Sequence, residues 1–198
     1  CGATPGEADL AETATLAAAQ KLRDRFLGAM LGLAAGDALA APTQFRKPGS
    51  FTAVGDLLGG GPYDLPQGAW SDETAMALCL AESLLESSGF NARDQIARYA
   101  RWQQDGHMTS TGQCVGITAS VARALAAAQW RRQPFAGSHD PKQLPPGPLT
   151  RVLPSVQYFF ASPADAIARA QPGPHTSDEP AARRRSGSLL AGSERPAE

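Results

Sequence analysis

The stretch GAWSDETAMALCLAESL, Gly68 to Leu84, is where a loop turns into an apolar helix. Three oxygen-bearing side chains stand in a row at that point: Ser71, Asp72 and Glu73. A serine before a helix can cap free backbone N–H groups, and acids in the first turn suit the positive end of the helix dipole. Alternatively, hydroxyl and carboxylate oxygens are the ligands of hard cations such as Mg²⁺, Mn²⁺ or Ca²⁺. The residues themselves leave both interpretations open.

A long helix is predicted upstream of this stretch, over residues 21–41. Its apolar residues recur at helical spacing: Leu22, Phe26, Met30 and Leu33. The run from Phe26 to Ala41 is too short to span a bilayer comfortably and contains Asp37, so we interpret it as a buried helix. Asp37 falls on the apolar face, where it is either part of a functional site or a core acid with satisfied partners.

Three helices are predicted downstream, each with one apolar face. The first opens at Ser71 and stops at Ser87 to Gly89, the second is capped by Asn91 and ends near Gly106, and the third covers residues 113–130. The residues expected in the core are Met76, Leu80, Leu84, Ile96, Tyr99, Trp102, Cys114, Ile117, Val121 and Leu125. Because no run alternates convincingly with period two, the predicted fold class is all-α.

The composition divides the chain into three parts. Residues 1–20 are rich in Ala, Thr, Glu and Gly and are expected to form a flexible N-terminal arm. Residues 21–171 carry the apolar periodicity and form the predicted helical domain. Residues 172–198 are rich in Pro, Ser, Arg and Gly, so this tail is expected to be disordered or foreign to the fold.

Charge and cysteine usage exclude several classes of function. With 18 basic and 19 acidic residues, the chain is not expected to bind nucleic acid or a charged membrane surface. The three cysteines form no C-x-x-C pair, which suits a cytoplasmic protein. The three histidines are far apart in sequence, and no zinc helix, phosphate-binding loop or serine-nucleophile motif is present.

Four segments together carry a family resemblance: GLAAGDALAAPTQF, GAWSDETAMALCLAESL, STGQCVGITASVARAL and PPGPLTRVLP. They are similar, in order, to G-D-A-L-G-x-P-x-E-F, W-[TS]-D-D-T-x-M-A-L, S-T-G-x-C-x-D-I-G and G-N-G-P-L-M-R-x-A-P. These motifs are those of the ADP-ribosylglycohydrolase family, which includes dinitrogenase reductase-activating glycohydrolases and ADP-ribosyl-acceptor hydrolases. The resemblance runs from about Arg25 to His175.

The resemblance implies an orthogonal multi-helix bundle around a two-metal site, usually Mg²⁺ and sometimes Mn²⁺. It implies a metal-dependent hydrolase that cleaves the glycosidic bond between ADP-ribose and a modified side chain or small acceptor. By the same resemblance, Asp72 and Glu73 would be catalytic and, with Ser71, would hold metal. The residues expected to contact the substrate are Asp37, Gly147 and His175.

Several positions depart from the family motifs. Glu73 replaces the usual second Asp, and its longer side chain is poorly tolerated by close Mg²⁺ coordination without local rearrangement. Gln44, Gly116 and Pro146 stand where the family has an acid, Asp and Asn. The family's C-terminal D-x-D-T motif does not occur here, so only half of the metal ligands are expected and the bundle is expected to be incomplete at its C-terminus.

Two functions therefore follow from the sequence as alternatives. The first is a hydrolase acting on an ADP-ribosylated protein or a small ADP-ribosyl substrate. The second is a non-catalytic ADP-ribose-binding or interaction module that has lost a competent metal pair. The missing D-x-D-T motif is the feature that separates them.

Overall fold

The computed structural model describes residues 7–132, 147–164 and 167. The helices in this part are α1 (Glu7–Ala40), α2 (Asp72–Glu86), α3 (Ala92–Asp105), α4 (Ala119–Arg131), α5 (Gly147–Thr150) and α6 (Leu153–Tyr158). The described residues form no strand, only an isolated bridge between Gly60 and Leu65. The all-α prediction is confirmed. The tail predicted from residue 172 lies outside the described residues, and the three-part domain division stays a prediction.

The chain separates into two compact units, residues 1–68 and 69–198. The first contains α1, which begins at Glu7 and not near residue 21. The interpretation of α1 as a buried helix is wrong. Over residues 15–40 only Ala38 is buried, and Leu27 and Leu31 are 50% and 60% exposed. The described part of this unit adds only two short 3₁₀ turns, which offer little surface to cover so long a helix.

Helix α1 also overturns the expectation that its apolar run is too short for a bilayer. The segment Thr15–Thr43, 29 residues long, is long and apolar enough to cross a membrane by length and composition. Core helices of soluble proteins and N-terminal signal sequences meet the same criteria, so this feature alone assigns no membrane function.

Helix α2 is the centre of the second unit, where it packs against α3, α5 and α6. Its apolar residues recur every three or four positions, so one face is continuous and can be buried. The core cluster consists of Ala75, Met76, Cys79, Tyr99, Trp102 and Leu125. Ile96, Cys114, Ile117 and Val121 pack partly buried against that cluster. Most of the predicted core is therefore confirmed, since regular helical spacing determines which side chains share a face.

The ends of α2 and α3 lie where the sequence predicts them. The Asn91 side chain accepts hydrogen bonds from the backbone N–H groups of Arg93 and Asp94, both at 3.2 Å, and caps α3. Gly106 ends that helix in a left-handed conformation, φ +67°.

The predicted start of the next helix is wrong by six residues. Helix α4 begins at Ala119, and the Thr118 side chain accepts a hydrogen bond from the Val121 N–H. Gly112 and Gly116 have φ values of +75° and +80°, which a right-handed helix cannot include. The segment before α4 is therefore an irregular loop, and it runs beside the start of α2.

Candidate functional site

The start of α2 carries two buried polar side chains. Ser71 and Asp72 are 5% and 4% exposed, and Glu73 is half-buried. Ser71 holds the N-cap position of α2, but its side chain makes no capping hydrogen bond. Its hydroxyl instead lies 3.3 Å from Oδ1 of Asp72 and donates to it. The capping interpretation thus fails for the Ser71 hydroxyl, which donates to the Asp72 carboxylate and makes no side-chain capping bond.

The loop before α4 is attached to the residue that precedes Ser71. Trp70 Nε1 donates to the Met108 carbonyl at 3.2 Å, and the Ser110 hydroxyl donates to the Trp70 carbonyl at 2.7 Å. Both bonds are partly buried, which shields them from competition with water. They fix the loop against α2 at its N-terminal end.

Gly116 in this loop lies directly against the Asp72 carboxylate. A Cβ atom built on Gly116 would overlap Oδ1 of Asp72, and the backbone there is left-handed. Only glycine satisfies both conditions without rearrangement. The third family motif has Asp at the position of Gly116. In this chain there is no side chain at that position, and the Gly116 backbone lies directly against the Asp72 carboxylate.

Cys114 shows the electrostatic influence of Asp72 in the same loop. Its thiol pKa is raised, first by burial and second by the negative charge of Asp72. Both causes disfavour the thiolate. Cys114 is therefore a poor nucleophile and fits a packing role beside the buried carboxylate.

Helix α5 brings a third segment to the same helix start. The Thr150 hydroxyl donates a hydrogen bond to Oε2 of Glu73, and α5 packs on α2. Arg151, the next residue, places Nη1 2.6 Å from Sδ of Met76, one turn further along α2. Gly147 is the first residue of α5. Segments 107–118 and 147–151 therefore both contact the first turn of α2.

Comparisons with known proteins identify the family to which the chain is related. Residues 18–183 match the sequence profile of the ADP-ribosylglycohydrolase family. The chain belongs to the ADP-ribosylglycohydrolase family. The family prediction is confirmed, and the segments that converge on α2 are those that resemble its second, third and fourth motifs.

Three relatives illustrate the extent of the similarity. ADP-ribosylarginine hydrolase Tri1 of Pseudomonas putida (strain GB-1) is 35% identical over 134 residues, 67% of this chain and 35% of the relative. ADP-ribosyl-[dinitrogen reductase] glycohydrolase of Rhodospirillum rubrum is 36% identical over 85 residues, 41% of this chain and 29% of the relative. The solved structure of an ADP-ribosylglycohydrolase-related protein complex matches with a TM-score of 0.64 and 39% identity, over 76% of this chain and 48% of that one. The chain thus spans about a third of the length of these curated relatives.

Two predicted site residues of this ADP-ribosylglycohydrolase chain, Asp37 and His175, lie outside the described part of the second unit. Asp37 lies half-buried on α1, in the first unit, and is described only within that unit. His175 lies outside the described residues. Within the described part, no three His, Cys, Asp or Glu side chains gather closely enough to hold a metal ion. Of the predicted metal ligands at the α2 start, Ser71 offers a hydroxyl, and Asp72 and Glu73 offer carboxylates.

Sequence reasoning missed an ionic cluster behind this site. Arg98 on α3 is 6% exposed and pairs with Glu86 and Asp94, both at 2.6 Å, and with Glu82. Glu82 also contacts His107 Nε2 at 2.6 Å, at the beginning of the loop that reaches Trp70. The carboxylates hold the pKa of the Arg98 guanidinium above its usual range, Asp94 having the largest effect and burial opposing it.

This ionic cluster holds α2, α3 and the loop before α4 together. The i, i+4 spacing of Glu82 with Glu86, and of Asp94 with Arg98, is the sequence signal that could have revealed it. Thr150 was also missed. It could have been found from the sequence, because it stands in PPGPLTRVLP where the corresponding family motif has Met.

Proposed function

We propose that this chain contributes the site of a divalent-cation-dependent hydrolase that cleaves the glycosidic bond between ADP-ribose and a protein side chain. One observation carries the proposal: three family motifs meet at the first turn of α2, around a buried Ser71–Asp72 oxygen pair. The names of the relatives support an ADP-ribosylated protein as the substrate, and that of the Pseudomonas protein supports arginine as the acceptor.

The donor set at the α2 start fits a hard cation. Ser71, Asp72 and Glu73 offer only oxygen, which Mg²⁺ and Mn²⁺ prefer. A buried carboxylate such as Asp72 is costly to keep charged unless a cation or hydrogen bonds compensate it. Three protein donors leave positions for water and substrate oxygens, as is usual for Mg²⁺. Ser71, Asp72 and Glu73 are thus the residues that would hold the cation.

In this proposal the protein residues provide binding and orientation. A divalent cation, when bound, supplies a water of lowered pKa and a point on which sugar hydroxyls can be oriented. Asp72 provides a fixed negative charge, because Gly116 and the Ser71 hydroxyl constrain its carboxylate. Segment 147–151 forms the neighbouring wall, where Gly147 could bring backbone close to a diphosphate without steric hindrance from a side chain.

A second candidate is an ADP-ribose-binding module without turnover. It is favoured by Glu73, which stands where the family motif has Asp and fits close Mg²⁺ coordination poorly without local rearrangement. It predicts binding of free ADP-ribose to the full chain with no hydrolysis.

The test is release of ADP-ribose from an ADP-ribosylated arginine peptide by the full chain in Mg²⁺, with an EDTA control. Hydrolysis that disappears in EDTA and in Asp72→Asn supports the hydrolase. Asp105→Asn, an exposed carboxylate at the end of α3, is the charge-matched control and should retain activity. Turnover that survives EDTA excludes the metal-dependent proposal, and ADP-ribose binding without turnover selects the second candidate.

A further inference from the structure

Glu73 and Thr150 are two departures from the family motifs that contact each other. Glu73 stands where the second motif has Asp, and Thr150 stands where the fourth motif has Met. They are 77 positions apart in the chain, yet the Thr150 hydroxyl donates to Oε2 of Glu73. A Met side chain has no hydroxyl to donate. The contact therefore depends on a hydroxyl-bearing side chain at position 150.

The extra methylene of Glu73 creates a positioning problem at the α2 start. A Glu side chain has one more rotatable bond than Asp and loses more rotamer freedom when it is fixed. A carboxylate that acts in a site must be held in one geometry by neighbouring groups. Helix α5 packs against α2 and presents the Thr150 hydroxyl to that carboxylate, which supplies such a group.

The hydrogen bond leaves the rest of the carboxylate available. An ionised carboxylate has about four lone-pair positions on two oxygens, and Thr150 uses one of them. A bond from a neutral hydroxyl to a carboxylate is charge-assisted and stronger than one between neutral groups. Glu73 can therefore be oriented by Thr150 and keep its other lone-pair positions for a cation or further hydrogen bonds.

We propose that Thr150 is a positioning residue that fixes the Glu73 carboxylate at the start of α2, and so compensates for the longer side chain. This inference rests on the proposed function, because it gives Glu73 a role in cation binding. Thr150 itself touches neither cation nor substrate in this proposal. Its hydroxyl acts through Glu73.

The first experiment tests the hydrogen bond without any metal. Urea unfolding of the full chain is measured for Thr150→Val, Thr150→Ser, Glu73→Met and Thr150→Val/Glu73→Met. Thr150→Val should lower the urea midpoint by roughly 0.3 M, from the usual worth of one hydrogen bond and a typical denaturant slope. Thr150→Ser should not lower it, and Thr150→Val should have no further effect in the Glu73→Met background, where no side-chain oxygen acceptor remains at position 73. Equal effects of Thr150→Val in both backgrounds overturn the inference.

The second experiment measures Mn²⁺ binding to the same full-chain variants by calorimetry. Thr150→Val should weaken Mn²⁺ binding about 10-fold, the lower end of the effect of groups that orient metal ligands. Thr150→Ser should stay within about twofold of the unchanged chain, because it keeps the hydroxyl. Unchanged Mn²⁺ affinity in Thr150→Val, in a chain whose binding requires Asp72, overturns the positioning role.

The two experiments separate failure of the inference from failure of the proposed function. No Mn²⁺ binding by the unchanged chain, or binding that survives Asp72→Ala, contradicts the proposed cation site and the role of Thr150 with it, whatever the urea result. Mn²⁺ binding that requires Asp72 but does not respond to Thr150→Val contradicts the inference alone. The inference is supported if Thr150→Val lowers the urea midpoint only when Glu73 is present and also weakens Mn²⁺ binding.

Discussion

Gly116 and Asp72 form the tightest constraint at the start of α2. The Gly116 backbone is left-handed, φ +80°, and the place of its missing Cβ is filled by the Asp72 carboxylate. Asp72 is 4% exposed and also accepts a hydrogen bond from Ser71. The carboxylate is therefore held between its own helix and the loop before α4, and this geometry requires glycine at position 116.

Gly116→Ala should destabilise the protein and displace the Asp72 carboxylate. Gly112→Ala is the matched control, since Gly112 has φ +75° in the same loop but nothing within 4 Å of its Cβ position. We expect Gly112→Ala to lower the free energy of unfolding by about 1 to 2 kcal/mol, because of the left-handed backbone alone. Gly116→Ala should cost at least about 1 kcal/mol more because of the overlap. Urea unfolding measures both, and equal losses would contradict the proximity of Gly116 to Asp72.

Ser71 and Asn91 occupy the same N-cap position on two helices but use their side chains differently. Asn91→Ala should lower the free energy of unfolding by about 1 kcal/mol, because its side chain caps α3. Ser71→Ala should lower it by less, since the Ser71 side chain makes no capping bond. Ser71→Ala should instead weaken Mn²⁺ binding, which Asn91→Ala should leave unchanged. Thermal unfolding and calorimetry on both variants test this, and a larger loss of stability for Ser71→Ala would restore the capping interpretation.

Local rules predicted much of the second unit. The spacing of Met76, Tyr99 and Trp102 places them on helix faces that can be buried, and all three are in the core. Asn91 and Gly106 were recognisable as helix ends because their preferences are local. The family assignment followed from short motifs in a fixed order.

The errors came from features that local rules do not contain. The apolar residues around Phe26 to Ala41 predict a helix but do not say what would cover it, and α1 is mostly exposed. The start of α4 was placed too early because helical periodicity does not reveal the left-handed conformations of Gly112 and Gly116, the second of which lies against Asp72 of another segment. The contact between Glu73 and Thr150 joins residues 77 positions apart, which periodicity cannot pair.

Arg98 should be among the most sensitive positions outside the α2 start. Its guanidinium is buried among Glu82, Glu86 and Asp94, and removing it leaves these carboxylates without their cation. Breaking a buried ion pair costs about 3 to 5 kcal/mol, and partial exposure of the carboxylates reduces this to roughly 2 to 3 kcal/mol for Arg98→Met. Arg93→Ala, on the exposed side of the same helix, should change stability by less than about 0.5 kcal/mol. Urea unfolding measures the loss in free energy of unfolding for both variants. Similar losses would show that the ionic cluster contributes little to stability.

The same cluster predicts how stability depends on pH in acid. Burial raises the pKa of Glu82, but hydrogen bonds from His107 and Arg98 outweigh it, so the net pKa lies below the ordinary 4.5. The pKa of Asp94 is below the ordinary 3.8, mainly because Arg98 donates to its carboxylate. Groups with depressed folded pKa values stabilise the protein above their unfolded pKa, and this contribution disappears as pH falls through the folded value.

The free energy of unfolding should therefore show no loss from these two carboxylates between pH 7 and 5, and should decline from about pH 4.5 downward. The decline should be shallower in Arg98→Met, because Glu82 and Asp94 then return toward their ordinary pKa values. Asp94→Asn is the alternative variant if Arg98→Met does not fold, and it should remove part of the decline. His107→Asn in both backgrounds removes the imidazole that contacts Glu82. Urea unfolding at intervals between pH 3 and 7 measures these slopes, and an identical acid slope with and without Arg98 would contradict the assignment of the lowered pKa values to this cluster.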